Sequence, residues 1–318
     1  MVSAGVIARR PARYRLGLLL VTASAIAWST AGLFTRLIPL DSWTMLSWRG
    51  VFGALGIFAA ILLMERRRAL WSFRALGRPG WLFAAVSAVG MIFFITSLTR
   101  TTVAHVAIIY ATVPFIAAGL AWLVMRERPA TGAVLASLAA LAGIAVMVGF
   151  GADGSLAGDL LALGMTASMA VMMVLSRRFQ NIPVMPAACL SALLSAAASW
   201  PFGSALSISG QDFALLALFG LVNSAVGLGL FTLGARLLPA IETALIGSLD
   251  APLAPLWVWL AFGEAAGRST IIGGLVVFAA VFAQLFAAAA ARRPASALPC
   301  GSGRPPRSTD RPGAPPNS

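Results

Sequence analysis

The sequence contains no lysine, one histidine and two cysteines, and only 10% of its 318 residues are charged. A soluble globular chain carries roughly 25% charged residues. With 59% hydrophobic residues as well, a water-soluble fold could not hide the apolar surface, so the bilayer is the expected solvent. One histidine, His105, cannot assemble a multi-histidine metal site. Cys189, in an apolar run, and Cys300, in a polar tail, form neither a disulfide framework nor a metal site. The links carry no phosphate-cradling glycine motif and are too short for an ATPase domain, so no cofactor is expected. The net charge of +13 would point to nucleic acid in a soluble protein. Here the arginines cluster in short links between apolar runs, which reads as membrane orientation, and no nucleic-acid partner is expected.

A helix needs about 20 mainly apolar residues to cross the hydrocarbon core. Ten such runs stand out, at about 16–35, 43–64, 81–99, 103–125, 131–150, 157–176, 185–206, 213–234, 239–262 and 270–291. They are continuous, without the ten-residue alternation of barrel strands. The first follows Arg9, Arg10, Arg13 and Arg15 as a signal peptide would, but it runs on to Phe34 and is read as a retained helix. The expected organisation is a cytoplasmic segment 1–15, two helical halves at 16–150 and 156–291, and a disordered cytoplasmic tail 292–318 rich in Pro, Gly, Ser and Arg. With both termini inside, the inside segments hold 19 arginines and the outside links three, Arg36, Arg100 and Arg268. That asymmetry follows the positive-inside rule and places the chain in the inner (plasma) membrane with both ends cytoplasmic. Arg49 alone lies inside a run.

Two stretches resemble each other. "IYATVPFIAAGLAWLVMRER" and "IGSLDAPLAPLWVWLAFGE" each have a mid-span proline (Pro114, Pro252) and a tryptophan five residues before a glutamate (Trp122 and Glu127, Trp259 and Glu264). The fourth span then corresponds to the ninth. Five being odd, the halves enter the membrane from opposite sides, as in transporters that alternate access about a central site. The fold class is therefore all-α and polytopic, ten transmembrane helices as two inverted five-helix repeats.

Ten spans in two halves, each with "P…W…E" on its fourth helix, resemble the drug/metabolite transporter superfamily and its EamA-type family. "AWSTAGLFTRL" is similar to that family's opening helix, with Trp28, and "SWRG" to its arginine at the start of the second, here Arg49. The resemblance covers about 16–290. Pro255 is extra, and Arg36 stands where many relatives have lysine. The resemblance implies export of a small metabolite, amino acid or amphipathic compound.

Asp250 is the leading coupling candidate. It lies ten residues into its run, about 15 Å deep, where an ionised carboxylate costs about 2.5–3.5 kcal/mol. It could bind and release a proton during a transport cycle, or hydrogen-bond structurally to another helix. Proline lacks a donor, so Pro252 frees the carbonyl of Ser248, Pro255 that of Ala251 and Pro114 that of Tyr110. Broken helices at mid-membrane point to a binding site; a packing kink is the plainer reading. Arg49 could meet a substrate carboxylate, pair with Asp250 or a carbonyl, or snorkel outward. Glu242, near the inner end of its span, is a second proton carrier or a solvated helix-terminal charge. Trp28, Tyr110 and Trp257 could wall a cavity. Ser29, Thr30, Thr112, Asn223 and Ser224 supply hydrogen bonds there or join helices, and Gly220, Gly227 and Gly229 permit close packing. His105 is a titratable or structural residue at an outer end.

The expected function is secondary-active transport of a small-molecule substrate by alternating access, with a proton as the coupling ion. A membrane-embedded lipid-modifying enzyme would need clustered His, Cys or carboxylates, which are scattered here. A sensor or scaffold that does not transport is the third alternative.

Overall fold

The computed structural model of the chain describes residues 4–65, 69–126, 131–150, 154–204, 206, 208–238, 243, 246–247 and 249–291. Among them all regular structure is helical. The first run forms α1 (Ala4–Ser29) and α2 (Ala31–Leu37). The break at Thr30 has a local cause. The Ser29 and Thr30 hydroxyls donate to the carbonyls of Ile26 (2.7 Å) and Ala27 (2.6 Å), and such back-bonding bends helices. Asp41 starts α3 (Ser42–Glu65) by accepting from the amides of Trp43 (3.0 Å) and Thr44 (2.9 Å), satisfying otherwise orphan donors. Partial burial pushes its carboxyl up, but the hydrogen bonds from Thr44 and Trp43 outweigh this and hold it below its ordinary value of 3.8.

The chain continues through α4 (Ala69–Arg74), α5 (Gly77–Arg100), α6 (Val103–Tyr110), α7 (Val113–Met125), α8 (Thr131–Phe150), α9 (Leu156–Arg178) and α10 (Val184–Ser199). Next come α11 (Gly210–Phe219), a π-helical segment (Gly220–Val226) and α12 (Gly227–Ala235), stacked without interruption. The last helices are α13 (Asp250–Phe262) and α14 (Arg268–Ala291).

Seven stretches among the described residues are long and apolar enough to cross a membrane: Arg13–Leu37, Ser42–Met64, Gly77–Arg100, Val103–Met125, Leu156–Arg178, Val184–Phe202 and Gly210–Ala235. This is fewer than the ten runs in the sequence. The other three contribute α8 and α14, with shorter apolar stretches Val134–Val146 and Arg268–Ala283, and α13. Thirteen residues of α13 extend only about 20 Å. Leu63, Leu123 and Leu275 are 82%, 71% and 65% exposed, as the lipid-facing surface of a polytopic membrane protein requires.

Packing is pairwise. α8 lies against α14, α5 against α9, α3 against α10 and α1 against α12; α6 and α1 both touch α13, and α9 touches α6 and α7. Small residues bring these backbones together. A Cβ on Gly220 would lie 2.7 Å from the Arg49 carbonyl oxygen, and one on Gly227 would lie 2.5 Å from Trp28 Nε1. Gly229 faces open space, so the close-packing expectation fails for it. The main core gathers Met45, Leu46, Ile95, Leu98, Ile109, Met165, Leu216 and Phe219. The exposed Trp71 and Trp81, near the ends of α4 and α5, fit an interfacial belt.

Candidate functional site

A cavity of about 470 Å³ lies between α1, α3, α5, α6, α9, α10, α12 and α13. Seven of the residues singled out in the sequence line it: Trp28, Ser29, Arg49, Tyr110, Asn223, Ser224 and Asp250. Its walls are otherwise mostly apolar and include Met91, Phe94, Met165, Met169, Met172 and Phe231. The volume falls within the 300–1,000 Å³ range typical of small-molecule pockets.

Asp250 is the first residue of α13. The two fourth-position runs share this design. α7 and α13 are each thirteen residues long, and each ends on a left-handed residue, Arg126 (φ 56°) and Gly263 (φ 69°). Pro114 and Pro252 stand in the first turns of their helices, where the missing N–H would have had no helical partner. They stand at the starts of these helices, not within their bodies. The break in the fourth run lies at Ala111 and Thr112. Of these three prolines, only Pro255 lies inside a helix body.

Thr112 is not among the lining residues; it donates to the Ile109 carbonyl (2.7 Å) and is buried. Trp257 stands behind the wall and donates from Nε1 to Ser29 Oγ (2.8 Å), while Ser29 lines the cavity. Glu242 lies outside the described residues.

Arg49 is 3% exposed. Its Nη2 donates to Asn223 Oδ1 (2.7 Å), and its Nη1 approaches Met91 Sδ (2.8 Å). Its Cζ lies 4.7 Å from the centre of the Phe219 ring, which is itself stacked on Phe34. Asn223 belongs to the π-helical segment, a form that recurs at functional sites. Its Nδ2 donates to the Ala27 (3.2 Å) and Trp28 (3.1 Å) carbonyls, which fixes its oxygen toward Arg49. The pairing of Arg49 with Asp250 expected as one alternative is not formed; Asn223, 174 residues away, takes its place.

At the C-terminus of α2 the helices are tied together. Arg36 donates from Nε to Glu264 Oε2 (2.8 Å) and from Nη2 to Oε1 (3.2 Å). Its Nη1 reaches the Leu98 carbonyl (2.7 Å) and its Nη2 the Thr101 carbonyl (3.1 Å). The Thr101 hydroxyl donates to Asp159 Oδ1 (2.8 Å). His105 Nδ1 bonds the same carboxylate (3.0 Å), and its Nε2 bonds Thr270 Oγ1 (3.1 Å). His105 is 1% exposed and clasps α6, α9 and α14. The sequence reading missed both clasps. Toward the opposite end the cavity extends along Ile57, Phe83, Met172, Val184 and Leu228.

No group of three His, Cys, Asp or Glu side chains that could hold a metal ion occurs among the described residues. One relative, the uncharacterized transporter YwfM of Bacillus subtilis (strain 168), is 28% identical over 283 residues, covering 82% of this chain and 93% of that protein. One solved crystal structure superposes with a TM-score of 0.61 at 19% identity, covering 87% of this chain and 99% of that one; this is a likeness of fold. The EamA-like transporter family matches twice, over residues 15–149 and 156–286. Most of the chain is thus accounted for by two copies of one transporter unit, and the protein belongs to the EamA-like transporter family.

Proposed function

We propose that the protein is a secondary-active exporter of a small amphipathic metabolite, working by alternating access in the inner membrane with both termini cytoplasmic. The observation that carries this reading is the cavity itself. It holds one base and one acid, Arg49 and Asp250, between apolar walls, and its Arg36–Glu264 end is closed by an ion pair. The opposite end is the arginine-rich one, so the conformation described is closed outside and reaches toward the cytoplasm.

Ten crossings in two inverted halves are supported by the packing. Exchanging the first five runs for the last five turns the α5–α9 contact into the α1–α12 contact, and the α7–α9 contact into the α1–α13 contact. The α8–α14 and α3–α10 contacts map onto themselves. A pseudo-two-fold relation of this kind underlies rocking about a central site. The matched lengths and left-handed ends of α7 and α13 support it as well.

Asp250 is the assigned proton carrier. It is the cavity's acid, at the start of a helix that only partly spans the membrane. The test uses proteoliposomes and a solute identified by thermal shift on the purified protein. Flux driven by a pH gradient should be lost in Asp250→Asn, while exchange of the same solute without a gradient persists. Gradient-driven flux that survives in the variant removes Asp250 from coupling.

A further inference from the structure

The cavity contains a cation that no carboxylate pairs with among the described residues. Arg49 and Arg36 make the comparison. Arg36 is partly exposed, yet all three of its nitrogens are satisfied, by both oxygens of Glu264 and by two carbonyls. Arg49 is 3% exposed and has no carboxylate partner among the described residues. Its acceptors are one amide oxygen and one thioether, and a thioether accepts only weakly. Its Nε, a buried donor, has no partner. Leaving such a donor unsatisfied is costly, and an uncompensated cation at membrane depth more so. Residues of this kind mark ligand pathways.

The guanidinium is also held in place. Phe219 supports its face, and Asn223 is oriented by the Ala27 and Trp28 carbonyls. A planar fork fixed at one position on a cavity wall matches the two oxygens of a carboxylate. We infer that Arg49, oriented by Asn223 and Phe219, is the carboxylate-binding pole of the cavity, and that its ligand is a solute with one carboxylate and an apolar body. The aromatic and thioether walls, Trp28, Phe94, Phe231, Met165 and Met169, receive that body. Asp250 lies on the same cavity and would repel a carboxylate unless its own charge is met. An ammonium group on the solute meets it, and so does a proton. An amino acid-like zwitterion and a simple acid therefore share the chemistry at Arg49 and differ at Asp250. This inference rests on the transport reading above.

The experiment measures binding to the full chain in lipid nanodiscs by calorimetry. The probes are 3-phenylpropionate, its neutral amide 3-phenylpropionamide, and L-phenylalanine. At least one of the two carboxylates should bind about 10- to 100-fold more tightly than the amide, the range expected of hydrogen bonds to a charged group. This comparison needs no variant, so a folding defect cannot obscure it. Arg49→Gln should remove the preference, and Arg49→Lys, which keeps the charge without the fork, should restore part of it. If L-phenylalanine is the tighter ligand and Asp250→Asn weakens it, the ammonium meets Asp250. If 3-phenylpropionate is tighter and Asp250→Asn strengthens it at alkaline pH, a proton does. Both results uphold the carboxylate pole. It is overturned if the amide binds as well as both acids, if none of the three binds, or if folded Arg49→Gln keeps the preference. A neutral solute carried across proteoliposomes would overturn the pole and leave transport standing. A bound carboxylate that is never carried would defeat transport and leave the pole standing.

Discussion

Neutralising Glu264 should open the cavity toward the Arg36 side. Arg36 and Glu264 meet through two hydrogen bonds, with side chains 25% and 28% exposed. Two unit charges about 4 Å apart attract by roughly 4 kcal/mol at an effective dielectric constant near 20. Most of this is offset by desolvation and by the ordering of two long side chains, and exposed pairs retain about 0.2–1 kcal/mol. A bidentate, three-quarters buried pair belongs above that range, at about 1–2 kcal/mol. Glu264→Gln keeps the shape and one acceptor. Arg36 also keeps its bonds to the Leu98 and Thr101 carbonyls, so the closed state loses the ionic part alone. A loss of 1–2 kcal/mol shifts the closed–open equilibrium roughly 5- to 30-fold. The assay is a single cysteine at Val103, a cavity-lining residue close to the clasp, in a chain lacking Cys189 and Cys300. Its reaction with an impermeant maleimide applied from the outer side should accelerate by that factor in Glu264→Gln. Adding Arg36→Gln should produce little further change, because the two residues share one interaction. An unchanged rate in a folded Glu264→Gln protein refutes the clasp as an energetic element. Acceleration only from the cytoplasmic face would refute the assigned orientation.

Two further outcomes follow from the local geometry. Asp41→Ala should cost about 1 kcal/mol near pH 6, by loss of the α3 cap, read as a lower melting temperature in detergent. The Asp41 carboxyl is held below 3.8, so its contribution is present above that value and lost as pH falls through the lower folded one. The difference between Asp41→Ala and the parent should therefore shrink below about pH 4; a constant difference would show that charge is not involved. Gly227→Ala places a methyl group 2.5 Å from Trp28 Nε1, and such overpacking costs about 1–3 kcal/mol. It should lower the melting temperature and weaken ligand binding together, and a neutral effect on both would show that α12 can withdraw from α1.

The helices were legible in the sequence because membrane helices are apolar throughout and stop at arginine, proline or glycine. The second run, read as 43–64, forms Ser42–Glu65, and the fifth, read as 131–150, forms Thr131–Phe150. The break at Thr30 was not legible, because neither Thr30 nor its neighbours Ser29 and Ala31 is a proline or glycine. It arises from two hydroxyls bonding back to their own helix, and serine or threonine in a membrane helix more often leaves the helix straight. The π-helical turn at Gly220–Val226 was hidden for a different reason. Nothing local demands it, but it carries Asn223, which reaches both the α1 carbonyls and Arg49. At the site, the charged residues could be named because charge is scarce here. Their partners could not, because Arg49 meets Asn223 across 174 residues and Arg36 meets Glu264 across 228. A charge count places groups on a side of the membrane but not against one another.

Register shows where the two halves differ. Aligning the sequences on Pro114 and Pro252 sets Asp250 opposite Thr112. Counting back from the left-handed ends of α7 and α13 sets it opposite Val113, the first residue of α7. The helix-end alignment is the physical one, since both helices have thirteen residues and their tryptophans, Trp122 and Trp259, then coincide at the tenth position. The proline slips by one residue because either first-turn position tolerates a missing donor, so proline is the looser marker. In this register one half begins its short helix with a carboxylate and the other with an aliphatic side chain. An acid at the start of α13, on the same cavity as an arginine supplied by α3, gives the cavity a polarity that the repeat lacks. On this view Asp250→Val should cost coupling without costing the fold, and Val113→Asp should add a second titrating site. The check is proton stoichiometry measured alongside solute flux in proteoliposomes: a stoichiometry unchanged in Val113→Asp would show that the two positions are not equivalent.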